Sequence, residues 1–426
     1  MDVKTTFLNG VIEEEVYIEQ LEGFETNEKK SHVCRLKKSL YGLKRVPRAW
    51  YGRIGSYLQQ LGFIKSDADP NLYYLLVENE PLIMVLYVDD LFLTGSSRLI
   101  QDYKKNLEVE FDTKDLGLMH YLLVLDVQQK NGEIFLGQGR YAIEILKRFR
   151  MQDCRPMSTP MITNWKKIDA SEDKEVDPTL YRELIGLLMY LVNTRLDICF
   201  VVNTLSQFMV EPKRVDWAMA THILRYVCGT VGYGLKYSRG EDVSFNGFTD
   251  VDWAGNSVDR KSTSGYCFSV GSRMISWCSR KQKSVALSST EAKYMAASAA
   301  TCKAIWLRKL LVSLFRKRME VTKVYCDNQS CIKLFENPVF HDRSKHIDIS
   351  CHFMRDCVQR GQYSYNMFPQ ESRWPIYSQR FSEELSSLKS KSRWVWLKIH
   401  FSGGRSNLQC RDSGQWQCQQ QHRCKN

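Results

Sequence analysis

The sequence lacks long apolar runs, a secretory signal and an excess of acidic residues. A helix that spans a bilayer needs about 20 consecutive apolar residues. The longest apolar run here, near Leu184–Val192, is much shorter. The chain opens on Met1-Asp2-Val3, so we expect no signal peptide. Asp and Glu number 48 against 60 Lys and Arg, a net charge of +12. These absences favour an intracellular protein, cytoplasmic or nuclear, that has no membrane partner and binds a polyanion such as nucleic acid.

Cysteines are present, but not in the arrangement of a zinc site. The 14 cysteines stand mostly one at a time inside apolar segments, as Cys199 and Cys228 do. Such residues are typically reduced core side chains in an intracellular protein. Near the end of the chain, Cys410–Cys424 contains three cysteines and a histidine whose spacing matches neither a zinc knuckle nor a Cys-x-x-Cys pair. We therefore expect no zinc.

The most informative stretch is Leu86–Leu91 (LYVDDL), where two adjacent aspartates interrupt apolar residues. Leu82–Leu86 precedes Asp89 and Asp90, and Leu91–Leu93 follows. The pattern predicts a hairpin of two buried strands with the aspartates at the bend. Asp is a common turn residue that bonds its own backbone. Paired aspartates between apolar strands are nevertheless costly unless a group such as a divalent cation satisfies them, so the residues leave a metal site and a simple turn both open.

Further motifs resolve this choice because they occur in an order known from one family. Met1–Gly10 places Asp2 on a short β-prone segment, with the aromatic Phe7 five positions later. The remaining motifs are Leu40–Lys44 (LYGLK), Pro47–Trp50 (PRAW), Tyr87–Asp90 (YVDD) and Ser288–Ala292 (SSTEA). Over roughly 360 residues the chain resembles the reverse transcriptase and ribonuclease H region of copia-type LTR retrotransposon Pol polyproteins.

The resemblance implies nucleotidyl transfer with two Mg²⁺ or Mn²⁺ ions, which need carboxylates from separate strands. It assigns Asp2 and Asp89 as catalytic metal ligands and gives Asp90 a supporting catalytic role. Phe7 matches the aromatic that excludes a 2′-hydroxyl from the nucleotide site, although an aromatic on a strand is usually a core residue. The implied partners are an RNA template, a DNA primer, their RNA–DNA hybrid, deoxynucleoside triphosphates and other retroelement proteins.

Arg35–Arg48 is a basic stretch with aromatic residues interleaved. Cations for phosphates and rings for bases or sugars are typical of nucleic-acid binding, and a solvated helix face is the alternative. The expected contacts are Lys37, Lys38, Tyr41, Lys44 and Arg48. The family usually has Gln at the position of Arg45, where it helps to set the incoming nucleotide. Arg45 therefore predicts weaker polymerisation.

Two further departures from the family predict an impaired polymerase. Leu116–Val124 resembles the segment that grips the primer end, where the family usually has Gly in place of Val124. A branched side chain restricts a tight approach of the backbone. The family also places a fingers region before the motif that contains Asp2. We therefore expect a chain truncated at its start, with Asp2 poorly held.

The second half predicts three antiparallel strands, a helix and a further strand. The strands are expected within Val243–Asp252, Gly265–Val270 and Met274–Trp277, the helix from Ser288 to about Leu311, and the fourth strand at Val321–Cys326. This order matches the opening of the ribonuclease H fold. The resemblance assigns this half metal-dependent cleavage of RNA in an RNA–DNA hybrid.

The resemblance implies four catalytic metal ligands here: Asp250, Glu291, Asp327 and Asp348. Simpler roles exist for two of them. Ser288–Glu291 is also a capping box, in which Glu291 would accept from the Ser288 amide. Asp327 could cap a helix that begins near Gln329.

Lys293 and Lys303 stand where the family often has Glu. Both add positive charge to a helix that approaches the hybrid. We expect them to alter hybrid binding without removing a metal ligand.

With 426 residues, the chain has room for roughly two to four domains. We expect a partial polymerase palm and thumb without fingers at 1–150, a linker and helical connection at 151–240, and a ribonuclease H-like domain at 241–362. Residues 363–426 read as a divergent tail, altered relative to the family, with too few periodic apolar residues to fold. The expected fold class is multidomain α/β and α+β, with a ribonuclease H-like mixed sheet flanked by helices.

The expected function is that of a retrotransposon-derived RNA-directed DNA polymerase fragment with a ribonuclease H domain. Polymerisation is expected to be impaired, and hybrid cleavage survives more readily. The alternative is a catalytically dead remnant that still binds nucleic acid.

Overall fold

The computed structural model describes residues 1–12, 14–20, 32–162, 176–240, 244–256, 259–271, 273–315, 319–336 and 356–367, with residues 23, 165 and 354 between these ranges. It contains two antiparallel sheets, one mixed sheet and a two-stranded ribbon, with packed helices, which confirms the expected fold class. No helix within the described ranges is both long enough and apolar enough to cross a membrane.

The first unit is a six-stranded sheet in the order β4-β5-β6-β7-β1-β8, with a separate ribbon of β2 and β3. Its elements are β1 (Asp2–Val3), a 3-10 helix (Thr6–Asn9), β2 (Tyr17–Ile18), β3 (Cys34–Arg35), α1 (Val46–Gln60), β4 (Ile64–Lys65), β5 (Leu72–Val77), β6 (Glu80–Tyr87), β7 (Asp90–Gly95), α2 (Ser97–Glu110) and β8 (Thr113–Lys114).

The predicted hairpin is confirmed as β6 and β7. Leu82, Met84 and Leu86 alternate along β6 and are buried, as expected for a strand with one face on a core. On α1, Trp50 and Ile54 recur at helical spacing and pack into the same core cluster. Apolar burial on these two elements therefore fixes the hairpin against α1.

β1 lies in the interior of this sheet, between β7 and β8. The Leu91 amide donates to the Met1 carbonyl at 2.8 Å, and the Val3 amide donates to the Asp89 carbonyl at 2.9 Å. The expectation that Asp2 is poorly held is therefore wrong, because both edges of its strand are paired.

The second unit combines a four-stranded sheet, ordered β12-β11-β10-β9, with a helical layer. Its elements are β9 (Tyr121–Leu122), β10 (Leu125–Lys130), β11 (Glu133–Gly137), α3 (Gly139–Arg148), α4 (Pro178–Leu191), α5 (Cys199–Leu205), α6 (Arg214–Gly229) and β12 (Gly234–Ser238), with short 3-10 turns at Leu196–Ile198 and Ser206–Phe208.

One hydrophobic core joins the helices of this unit. Ile145 of α3, Leu188 of α4 and Ile223 of α6 belong to a single buried cluster. Trp165, from the segment expected to be a linker, belongs to the same cluster and is 4% exposed. The expected boundary at residue 150 therefore runs through this core, because α3 and α4 contribute to it from opposite sides of the boundary.

The third unit is a five-stranded sheet ordered β15-β14-β13-β16-β17. Its elements are β13 (Phe245–Asp252), β14 (Thr263–Val270), β15 (Arg273–Lys281), α7 (Ser289–Phe315), β16 (Thr322–Cys326), α8 (Gln329–Glu336) and β17 (Tyr363–Met367). β13, β14 and β15 are an antiparallel meander, and β16 runs parallel to β13. The predicted order of three strands, a helix and a fourth strand is confirmed.

The prediction that the tail begins at residue 363 is wrong. Tyr363–Met367, the first residues assigned to that tail, form β17 and pair in parallel with β16 over five residue pairs. Tyr363 and Tyr365 are buried in the core of this unit. Alternating aromatic residues therefore place this short segment in the sheet, while the remainder of the expected tail, residues 368–426, lies outside the described residues.

Candidate functional site

The turn between β6 and β7 is held in a strained conformation. Tyr87 pairs with Asp90, which leaves Val88 and Asp89 as the turn residues. Val88 has a φ of 54°, a left-handed conformation that is unfavourable for a β-branched residue. The indole Nε1 of the buried Trp50 donates to the Val88 carbonyl at 2.7 Å. Since Trp50 belongs to α1, that helix fixes the turn that carries the aspartates.

The three carboxylates predicted for the polymerase half meet at this end of the sheet. Asp2 is the cross-strand partner of Asp90, so their side chains lie on one face with Cα atoms about 4.5–5.5 Å apart. Asp89 precedes Asp90 in the turn, and its carbonyl accepts from the Val3 amide. Pairing thus places Asp90, rather than Asp89, opposite Asp2. Which carboxylate holds an ion stays a prediction.

The fit of these carboxylates to a divalent ion is partial. Carboxylate oxygens are the ligands that Mg²⁺ prefers, and Asp2, Asp89 and Asp90 are all partly exposed. Among the residues that the structure describes, however, no three His, Cys, Asp or Glu side chains are arranged to hold a metal ion. The backbone therefore gathers suitable donors, and their side chains must still converge on an ion.

Phe7 lies on a 3-10 helix that follows β1, not on the expected strand. Thr5, with a φ of 47°, turns the chain out of β1 immediately before this helix. Phe7 is partly buried against the core of the first unit. Its ring also meets the exposed ring of Tyr41 edge-on, with centroids 5.3 Å apart. Phe7 therefore lies at the boundary between core and surface, where either predicted role is compatible with its position.

The basic residues predicted to bind nucleic acid lie on an exposed surface that is anchored to the Asp2 segment. The exposed side chains are Lys37, Lys38, Tyr41, Lys44 and Arg48. Between them, the buried Ser39 donates from its amide to the Gly10 carbonyl at 3.0 Å. A Cβ on Gly10 would lie 2.6 Å from the Ser39 Oγ and 3.0 Å from the Trp50 amide. Glycine is therefore required for this close approach.

Arg45 is engaged within the protein. It is the residue that precedes α1, and its guanidinium forms an ion pair with the Glu14 carboxylate. Both side chains are more than half exposed, so the pair adds little to stability. The pair directs the Arg45 side chain toward Glu14, in the segment that precedes β2.

Val124 is strained in the segment that resembles the primer grip. Leu122 pairs with Leu125, and the turn residues Leu123 and Val124 have φ angles of 44° and 68°. Two successive positive φ angles fit a type I′ turn, which favours Asn-Gly. The expected conflict with a branched side chain is therefore present as an unfavourable backbone conformation.

In the third unit, Asp250 and Asp327 converge on a lysine. Asp250 lies on β13 and Asp327 follows the parallel neighbour β16. The Lys293 ammonium forms an ion pair with the Asp327 carboxylate, and its Nζ lies 4.0 Å from the Asp250 Oδ1. Burial raises the pKa of Asp250 to about 6, the Asp327 charge adds to this rise, and the Val251 amide and Lys293 oppose it. An ammonium group thus lies between two of the predicted metal ligands.

Glu291 lies in the helix cap. Its carboxylate accepts from the Leu287 amide at 2.7 Å, and its own amide donates to the Ser288 Oγ at 3.1 Å. Side chains two residues apart on a helix point roughly 200° apart, so Glu291 and Lys293 point in nearly opposite directions. Glu291 therefore lies in a cap as the alternative predicted, although its carboxylate accepts from the Leu287 amide rather than from the Ser288 amide. Among the described residues, it is not gathered with Asp250 and Asp327 into a metal-binding group.

The significance of Lys293 was missed at the level of sequence, although a signal for it exists. Position 293 shares a helical stripe with Ala297, Ala300 and Ala304, all buried against the sheet. This phase predicts that residue 293, and not residue 291, faces the strand that carries Asp250. As expected, Lys293 removes neither predicted ligand, but its ammonium occupies the space beside both carboxylates, and its effect on hybrid binding stays a prediction. Asp348, the fourth predicted ligand, lies outside the described residues.

The chain is similar in sequence to several known proteins. The family model "Reverse transcriptase (RNA-dependent DNA polymerase)" matches residues 1–163. The Pol polyprotein from transposon RE1 of Arabidopsis thaliana is 39% identical over 362 residues, which are 85% of this chain and 25% of that polyprotein. A putative transposon Ty5-1 protein of Saccharomyces cerevisiae is 31% identical over 302 residues, 70% of this chain and 98% of that protein.

A solved structure of the foamy viral protease-reverse transcriptase in complex with dsDNA is 11% identical, and the match covers 88% of this chain and 72% of that one at a TM-score of 0.42. The chain spans about a quarter of the RE1 polyprotein it matches.

Proposed function

The chain belongs to the family of copia-type retrotransposon Pol polyproteins, within their reverse transcriptase and ribonuclease H region, and we propose that it binds a primer–template and extends the primer slowly at the β6–β7 hairpin. The observation that carries this proposal is the pairing of Asp2 with Asp90 beside the Asp89 turn. That pairing gathers three carboxylates at one end of the sheet, and the segment that carries Asp2 is hydrogen-bonded at Gly10 to the exposed basic stretch.

In the proposed reaction, Asp2 and Asp89 would hold the divalent ions, and Asp90, paired with Asp2 across the sheet, would support them. When bound, Mg²⁺ or Mn²⁺ would activate the primer hydroxyl and neutralise charge on the nucleoside triphosphate. Phe7, braced by Tyr41, excludes a 2′-hydroxyl by its bulk.

The basic surface supplies affinity for the partners, which we propose are an RNA template and a DNA primer, together with deoxynucleoside triphosphates. Lys37, Lys38, Lys44 and Arg48 are exposed cations that can neutralise backbone phosphates. The Ser39–Gly10 hydrogen bond ties this surface to the segment that carries Asp2. A bound duplex is thereby positioned relative to the carboxylates.

We attribute slow extension to two features. Arg45 is paired with Glu14 where the family usually offers Gln to the nucleotide. Val124 holds an unfavourable conformation at the turn that resembles the primer grip, and misplacement of reacting groups by about 1 Å can cost about 100-fold in rate. Both features lower the rate without removing a carboxylate.

A second candidate function concerns the ribonuclease H-like half. Its resemblance to the family favours binding of an RNA–DNA hybrid, with cleavage as the family's chemistry. The ion pair of Lys293 with Asp327, close to Asp250, favours binding without cleavage. This half would then increase the affinity of the chain for the primer–template.

The polymerase proposal is tested by extension of a labelled DNA primer on an RNA template with Mg²⁺ and deoxynucleoside triphosphates. The wild-type chain should extend the primer. Asp2→Asn and Asp89→Asn should each lower the rate by more than the roughly 10–100-fold typical of losing an outer-shell partner. Asp102→Asn, which changes an exposed carboxylate on α2, is the matched control and should retain the wild-type rate. Extension that survives in both the Asp2→Asn and the Asp89→Asn variants would refute the proposal.

A further inference from the structure

Asp250 and Asp327 lie at the same edge of the third sheet. β13 and β16 are parallel neighbours, with Phe248 paired to Tyr325. Asp250 is two residues beyond Phe248, and Asp327 is two residues beyond Tyr325. The register therefore places the two carboxylates side by side, as a pair that needs a cation between or beside it.

Lys293 supplies that cation from the facing helix. Its ammonium is ion-paired with Asp327 and lies 4.0 Å from the Asp250 Oδ1. The lysine side chain is only 14% exposed and that of Asp250 is 25% exposed. Asp327 is 43% exposed, so the low exposure of Lys293 and Asp250 is what distinguishes this site from a surface ion pair, whose side chains move freely in water.

The packing of α7 fixes the position of this ammonium. Ala297, Ala300 and Ala304 follow Lys293 along one stripe and are fully buried against the sheet. Their small side chains keep the helix close to β13 and β14, so the long lysine stem points along the interface toward the sheet edge. This packing fixes the backbone position of residue 293, which keeps its ammonium within reach of both carboxylates.

An ammonium and a divalent ion compete for these oxygens. Both need the negative charge of Asp250 and Asp327, and like charges within about 4 Å repel strongly at a partly buried site. A divalent ion would also find one carboxylate fewer than if position 293 were Glu. The residues present therefore do not fit a divalent ion while Lys293 stays in place.

We propose that Lys293 is an internal cation that takes the place of the metal ion at the Asp250–Asp327 edge, so that the ribonuclease H-like half binds hybrid without holding the catalytic metal. The inference concerns a different unit from the primer-extension proposal and does not depend on it.

The test is binding of Mn²⁺ alone to the full-length chain, measured by titration with electron paramagnetic resonance. All variants carry Asp89→Asn, which removes the hairpin as a source of bound Mn²⁺. In this background Lys293→Glu should gain a Mn²⁺ site at least about tenfold tighter than any site of the parent. Lys309→Glu, an exposed lysine on the same helix, makes the same change in net charge and should gain no such site.

A second variant guards against misfolding. Lys293→Gln removes the ammonium without introducing a new charge, and it should gain a weaker Mn²⁺ site that is lost again on adding Asp250→Asn. Circular dichroism identifies which variants are folded. The proposal is overturned if the parent already binds Mn²⁺ in a manner abolished by Asp250→Asn, or if neither folded Lys293 variant binds more Mn²⁺ than the parent.

Discussion

Glu291 and Lys293 are two positions apart, and the direction of their side chains decides what each can do. The family resemblance predicted that Asp250 and Asp327 meet, and the parallel pairing of β13 with β16 brings together Asp250, which lies within β13, and Asp327, which directly follows β16. The motif Ser288–Ala292 drew attention to Glu291, which instead accepts from the Leu287 amide. Only the phase of α7, visible in its stripe of buried alanines, identifies residue 293 as the one that faces the carboxylates.

At the turn between β9 and β10, replacing Val124 with glycine should stabilise the protein. Val124 has a φ of 68°, and a left-handed conformation costs an L-residue roughly 1–2 kcal/mol that glycine does not incur. Part of this gain is lost because glycine makes the unfolded chain more flexible. We therefore expect Val124→Gly to raise the free energy of unfolding of this unit by about 1 kcal/mol, measured by urea denaturation.

The control for this substitution is Val109→Gly. Val109 lies in α2 and is 89% exposed, so glycine there removes helix propensity without relieving a positive φ. Val109→Gly should destabilise by a few tenths of a kcal/mol. If both glycine variants shift stability in the same direction, the backbone of Val124 is not the cause.

At the scale of elements, local pattern predicted the long strands and helices, and pairing between distant segments decided the rest. β6 alternates buried and exposed residues and was found from the sequence. β1 is two residues long, and its place between β7 and β8 depends on partners about 90 and 110 positions away. No local pattern could show that Asp2 would be held inside a sheet.

The contact between α1 and the β6–β7 turn should matter for primer extension. Trp50→Phe keeps an aromatic ring in the core but removes the Nε1 hydrogen bond to the Val88 carbonyl. Loss of a buried hydrogen bond typically costs about 1 kcal/mol. We expect Trp50→Phe to lower the free energy of unfolding by about this amount. It should also lower the rate of primer extension.

Trp277→Phe is the matched comparison for this prediction. Trp277 donates from its Nε1 to the Val192 carbonyl at 3.0 Å, away from the hairpin. The Trp277→Phe variant should lose about as much stability as Trp50→Phe while it extends primers at the wild-type rate. Equal loss of extension in both variants would show that the hydrogen bond to Val88 has no particular role in the site.

The packing of α6 against the segment near Thr159 should be sensitive to acid. Burial lowers the pKa of His222 below its usual 6.5, while a hydrogen bond to the Thr159 carbonyl at 2.9 Å opposes this shift. A depressed folded-state pKa means that protonation favours the unfolded chain. The neutral form's contribution to stability is thus complete above about pH 6.5 and falls as the pH drops through the folded pKa.

The check is the unfolding free energy of wild type relative to His222→Gln, measured from about pH 8 to about pH 5. The advantage of wild type over the variant should shrink steadily as the pH falls. A difference that stays constant across this range would contradict the assignment of the pH effect to His222.

At the scale of the whole molecule, the net charge of +12 predicts nucleic-acid binding that weakens with salt. Each lysine that contacts a duplex phosphate contributes about 0.9 to the slope of log affinity against log salt concentration. Lys44→Gln should reduce this slope by about that amount for a primer–template duplex. Lys105→Gln, an exposed lysine on α2, should leave it unchanged, and equal slopes for wild type and Lys44→Gln would exclude Lys44 as a phosphate contact.

The units of the chain follow shared cores more closely than changes in sequence composition. The expected boundary at 150 was drawn at a proline-rich break, yet α3 and α4 share one core across it. The expected tail was drawn where the family pattern ends, yet Tyr363–Met367 completes a sheet. Sequence composition shows where apolar residues become sparse. A hydrophobic core can also contain isolated apolar residues from such a stretch, as Trp165 shows.

One assay bears on both halves of the molecule: incubation of a doubly labelled primer–template hybrid with the wild-type chain, Mg²⁺ and deoxynucleoside triphosphates. The label on the DNA primer reports extension, and the label on the RNA template reports cleavage. We predict slow extension that depends on Asp89, with an intact RNA strand. Cleavage of the RNA by the wild-type chain, abolished by Asp250→Asn, without extension of the primer, would contradict the account of both sites.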